Sequence, residues 1–116
     1  MIPKEYMSLL EREGYPLTNI GIKEIALNKP SAIKAIEILS KTSIGILGGD
    51  VYIIVNGKIE ITYDNWYCNE KTFNNYFEFL RESCAIAKAY IRRYKESDVG
   101  TVLFTLVLND GKPRVE

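Results

Sequence analysis

The run Val51-Tyr52-Ile53-Ile54-Val55-Asn56-Gly57-Lys58-Ile59-Glu60-Ile61-Thr62-Tyr63 decides how this chain folds. Segments rich in β-branched and aromatic residues flank Asn56-Gly57, the dipeptide that best tolerates the two positive φ angles of a type I′ turn. The run therefore reads as a β-hairpin, with its first strand reaching back to Ile44. A two-residue loop fixes the register: Val55 opposes Lys58, Ile54 opposes Ile59, Ile53 opposes Glu60, Tyr52 opposes Ile61, Val51 opposes Thr62 and Asp50 opposes Tyr63. One face then carries Tyr52, Ile54, Ile59 and Ile61 and is wholly apolar. The other mixes Val51, Ile53 and Val55 with Thr62, Glu60 and Lys58 and is half wet.

Upstream of the hairpin, Ile33, Ile36 and Leu39 share one side of an amphipathic helix running to about Lys41. Asn28 caps it, and Pro30 sits in its first turn, where a missing N–H is harmless. A brief strand is expected near Glu24 to Leu27, and a short opening helix over Lys4 to Arg12 stops at Gly14. Downstream, apolar residues at Phe73, Tyr76, Phe77, Leu80, Cys84, Ala87 and Ile91 predict a long core helix over about Thr72 to Lys95. Thr101 to Leu108, apolar on both faces, suits a central strand that ends at Asn109-Asp110-Gly111.

These elements make an α+β domain in a split βαβ layout. The expected antiparallel sheet has three to four strands around the central hairpin, is covered on one face by two helices, and is preceded by the short N-terminal helix. No repeat or linker divides the 116 residues, so 1–116 reads as one domain.

Composition narrows the function. Fifteen basic residues balance fifteen acidic ones, so the field that gathers nucleic acid is missing. The basic cluster Lys88, Arg92, Arg93 and Lys95 lies in the last turns of the long helix and complements its dipole. The longest apolar stretches fall far short of the roughly 20 residues a membrane-spanning helix needs. The start of the chain shows no charged and apolar signal regions, so the reducing cytoplasm is the expected compartment.

The chain has no histidine, which removes the commonest general base near neutral pH and the commonest transition-metal ligand. Cys68 and Cys84 match no zinc spacing, and Cys84 on the helical stripe reads as a buried inert thiol. Gly48-Gly49 leads into strand rather than helix, so it reads as a bend where a backbone or an aromatic ring packs closely, not as a phosphate loop. The register brings Asp50 beside Tyr63 and so near Asp64, but sugar-cleaving chemistry with two acids needs a cleft for which so small a domain has little room. No catalytic residue, metal site or cofactor is expected.

The loop after the hairpin crowds Tyr63, Trp66 and Tyr67 around Asp64 and Asn65. Trp and Tyr are enriched at binding hot spots because each buries a large area and keeps a polar tip. The candidate partner-binding set is Asp50, Tyr52, Glu60, Tyr63, Asp64, Trp66 and Tyr67. Against it stands the reading in which Trp66 folds back to plug the core.

Three runs, Ile46-Leu47-Gly48-Gly49-Asp50-Val51-Tyr52, Asn56-Gly57-Lys58-Ile59 and Thr62-Tyr63-Asp64-Asn65-Trp66-Tyr67-Cys68, resemble the immunity protein 40 family. A looser resemblance extends over about Ala26 to Tyr94; the first two dozen residues and the last strand carry no recognisable signature. The resemblance implies an immunity protein of a polymorphic or contact-dependent toxin system, encoded beside its toxin and binding the toxin's C-terminal effector domain stoichiometrically. It brings no catalytic residues. A monomer or weak homodimer is expected, with neither nucleic acid nor membrane as partner. The rival expectation is a small intracellular ligand-binding or regulatory domain that uses the half-wet sheet face or the glycine corner.

Overall fold

The Asn56-Gly57 turn takes positive φ at both residues, 51° and 79°, and closes a hairpin of β3 (Ile46–Val55) and β4 (Lys58–Tyr67). From Val55 opposite Lys58 to Tyr52 opposite Ile61 the register is the expected one. It then shifts: Asp50 opposes Asn65, Gly49 opposes Trp66 and Gly48 opposes Tyr67. Two extra residues in β4 form a bulge at Thr62 to Asp64, facing Val51, so the expected pairing of Asp50 with Tyr63 is corrected.

In the computed structural model, which describes residues 2–113, three α-helices pack with a six-stranded antiparallel sheet. The remaining strands are β1 (Tyr15–Pro16), β2 (Ile25–Asn28), β5 (Thr101–Phe104) and β6 (Val107–Leu108). The sheet runs β1-β2-β5-β3-β4, and β6 extends the β5 side of β3. The helices are α1 (Lys4–Glu13), α2 (Lys29–Leu39) and α3 (Tyr76–Arg93).

The sheet exceeds the three to four strands expected because the two-residue β1 lies below what sequence periodicity reveals and because the predicted last strand breaks at Thr105 into β5 and β6. There the Thr105 hydroxyl takes a hydrogen bond from the Asp50 amide at 3.1 Å, the role a ladder carbonyl would fill. The split βαβ layout holds twice: β5 lies between β2 and β3, and β3 lies between β4 and β5.

Helix boundaries follow their caps. Asn28 accepts from the Ser31 amide at 3.1 Å and starts α2. The third helix starts four residues later than periodicity predicts. Asn75 accepts from the Glu78 amide at 2.9 Å while the Glu78 carboxylate reaches back to the amide of Asn74, one residue before the cap. The buried stripe of α3 is Phe79, Ser83, Cys84, Ala87 and Ile91, and Phe77 stands 82% exposed.

The helices cover the face that carries Val51, Val102, Phe104 and Leu27. The opposite face gathers Tyr52, Leu103 and Ala26 under Leu17, with Tyr15, Ile20, Ile22, Ile54 and Ile59 at its margin. The wholly apolar hairpin face is thus the one without helices. The half-wet face is the helical one, because its charged members Lys58 and Glu60 lie on the edge strand and stay exposed.

Candidate functional site

Five of the residues singled out in sequence lie on β4, the edge of the sheet, and Asp50 and Tyr52 lie beside it on β3, but together they divide between the two faces. Thr62 holds the bulge: its hydroxyl donates to the Val51 carbonyl at 2.7 Å and accepts from the Asp64 amide at 3.1 Å. Asp64 turns toward the helices, where the Tyr94 hydroxyl donates to its carboxylate at 2.5 Å. Burial, and then the bond to Asp64, hold the Tyr94 phenol above its usual pKa. The Tyr94 ring in turn packs edge-on against Phe104, with centroids 5.6 Å apart.

Trp66 also faces the helices. It stacks on Tyr90 with ring centroids 4.8 Å apart and is 8% exposed. Its indole N–H has no acceptor among the described residues, so packing rather than hydrogen bonding fixes the ring. Trp66 therefore plugs the core under the strand and does not offer its ring to a partner. Tyr52 is likewise buried, on the other face. Both leave the accessible part of the predicted set, for one reason: each is large and opposite a core cluster, and burial of its apolar surface outweighs exposure.

Tyr63, Tyr67 and Ile61 are accessible, at 84%, 75% and 46% exposed. Glu60 and Asp64 are exposed on the same strand but on the helical side, whereas Ile61 and Tyr67 share the other side with Asp50, which is half-buried. Alternation puts Asp50 on the Tyr52 side of the sheet, away from Asp64, so the expected pairing of these two acids is corrected. On its own side Asp50 acts on Glu24 and Tyr52: burial, and then the Asp50 charge, raise the pKa of each. Tyr94 and Glu24 escaped the sequence reading because each lies more than two dozen residues from its partner, with no local pattern to join them.

The glycine corner behaves as expected. A methyl group on Gly49 would strike the indole of Trp66, and one on Gly48 would strike the Trp66 carbonyl oxygen. A depression of about 300 Å³ opens there, lined by Gly48, Gly49, Asp50, Asn65, Tyr67 and Val107 among others. Cys68 and Cys84 are free and buried, and burial pushes both thiols above their usual pKa. Among the described residues no group of three or more His, Cys, Asp or Glu is placed to hold a metal, and no helix is long and apolar enough to cross a membrane.

The edge strand of this α+β scaffold displays tyrosines and carboxylates, with its acids separated rather than paired. The family model for immunity protein 40 matches residues 16–108, and the chain belongs to that family. The match takes in the last strands, β5 and β6, which carry no signature recognisable by eye. Membership makes this a bacterial toxin-immunity protein, with a cognate toxin as partner and a role that is not enzymatic. No curated protein and no solved structure matches the chain.

Proposed function

We propose that the protein neutralises the C-terminal effector domain of its cognate toxin by one-to-one binding, and that the toxin seats on β4 and its bulge. The observation that carries this reading is the row Ile61, Tyr63 and Tyr67, three large side chains exposed on a single edge strand. Asp50 lies on the same side at the Tyr67 end of the row, where Gly48 opposes Tyr67, while Glu60 and Asp64 line the same strand on its helical side. Buried aromatic anchors supply the affinity of such interfaces, while acidic neighbours favour a basic partner surface and disfavour an acidic one. The net charge of zero leaves that preference to the patch alone, and it argues against nucleic acid as the partner. We read the shallow depression beside Tyr67 as part of this interface. The bulge interrupts the edge and opposes pairing with a second copy, which supports a monomer or weak homodimer. Two buried, unpaired thiols suit a reducing cytoplasm as the place of action.

The test is to express the C-terminal domain of the toxin encoded beside this chain, with and without the chain, and to score survival and copurification. Rescue with a one-to-one complex is expected. Replacing Asp50, Glu60 and Tyr67 together in a folded variant is expected to weaken binding by roughly 30-fold or more. Unchanged affinity places the interface elsewhere.

A further inference from the structure

We infer that Tyr63 is the anchor of the toxin interface, and that the β4 bulge exists to hold its ring out in a conformation the fold itself does not need; this rests on the toxin-binding reading above. Tyr63 has a φ of 71°, and the one other non-glycine residue with positive φ among those described is Asn56, in the hairpin turn. Asparagine visits this region readily. An aromatic residue there is strained, and glycine or asparagine would relieve the strain. Yet the backbone is restrained from several sides. Thr62 ties the bulge to the Val51 carbonyl and to the Asp64 amide, Tyr94 clamps the Asp64 carboxylate, and the Asn65 side chain donates to the Tyr63 carbonyl at 3.4 Å.

The strain brings the fold no burial in return, since Tyr63 is the most exposed large apolar side chain among the described residues. Strained residues that their surroundings over-determine cluster at ligand clamps. The bulge also settles the mode of recognition. Strand addition needs an unbroken edge, and the extra residues split β4 into Lys58–Ile61 and Asn65–Tyr67 segments, so the edge offers side chains rather than a backbone ladder. A phenol ring with Ile61 and Tyr67 on either side fits an apolar cleft with a polar group at its base. Asp50, on the same side of the sheet as Ile61 and Tyr67, fits a basic group on the rim of that cleft. The toxin's effector domain is expected to present such a cleft.

The experiment compares wild type, Tyr63→Gly, Tyr63→Asn and Tyr67→Ala by thermal melting and by calorimetric titration with the purified effector domain. Tyr63→Gly and Tyr63→Asn, both compatible with positive φ, are expected to keep or raise the melting temperature while weakening binding by about 30-fold or more. Variants at residue 63 that melt as wild type and bind within about threefold of it overturn the anchor role. If Tyr67→Ala alone weakens binding, the β4 surface survives and the anchor does not. If the wild-type chain fails to bind the effector domain, it is the toxin-binding reading itself that falls.

Discussion

Gly49 and Trp66 face each other across β3 and β4 so closely that a methyl group on Gly49 would lie 2.4 Å from the indole and 2.1 Å from the Thr105 carbonyl oxygen. The contact explains the bare position: the strand yields its side chain so that the indole can lie between the sheet and Tyr90. Gly49→Ala is therefore expected to destabilise the fold by about 1–3 kcal/mol, as overpacking does. Trp66 is the only tryptophan, so one fluorescence-detected urea titration reads both the midpoint and the indole's surroundings. A variant with the wild-type midpoint and emission maximum would refute the packing account.

The two phenylalanines at the start of α3 separate core from surface. Phe79 is fully buried, with tilted ring contacts to Phe73 and Tyr76, while Phe77 projects into solvent. Phe79→Ala is expected to cost about 3–5 kcal/mol, and Phe77→Ala to stay within about 0.5 kcal/mol of wild type. Equal losses in chemical denaturation would mean the helix is rotated from the position described.

That distinction also marks where the sequence was legible. The Asn56-Gly57 turn, the Asn28 cap and the Cys84-Ala87-Ile91 stripe each rest on interactions within a few residues, and each was read correctly. Counting threes and fours from Phe73 and Tyr76 carried the α3 stripe through its own capping segment and selected Phe77. The Asn75 and Glu78 pair is the local signal of the helix start. The bulge was less accessible: its stabilising partners are Val51 and Tyr94, distant in sequence, and Tyr63 adopts a backbone conformation its own propensity opposes. The separation of Asp50 from Asp64 followed from that same missed register shift. Strand order was legible in the succession of elements rather than in any one segment: strand, helix, hairpin, helix and strand give the split βαβ layout, which β5 meets by pairing with both β2 and β3.

The Tyr94 hydroxyl and the Asp64 carboxylate tie the end of α3 to the bulge. A double-mutant cycle over Tyr94→Phe and Asp64→Ala, measured by urea unfolding, is expected to give a coupling of about 0.5–1.5 kcal/mol, modest because the pair is exposed to water. Additive losses would show that the bond does not restrain the strand.

Tyr6, buried between α1 and the core, sets an alkaline limit on stability. Burial, and then the Glu24 charge, push its phenol from 10.0 up to about 12. The folded state holds the proton more tightly than the unfolded chain, so this contribution is fully present below the unfolded pKa near 10 and is lost as pH rises toward 12. A shift of this size corresponds to about 2–3 kcal/mol. Tyr52, Tyr90 and Tyr94 are also raised, and wild type and Tyr6→Phe share their contribution, which cancels in the comparison. The difference in unfolding free energy between the two proteins is expected to be flat from pH 7 to about pH 10, then to move in favour of Tyr6→Phe by about 2–3 kcal/mol before pH 12. Urea midpoints taken across that range decide it: two curves that fall in parallel above pH 10 would mean that the Tyr6 phenol ionises as easily in the folded protein as in the unfolded chain.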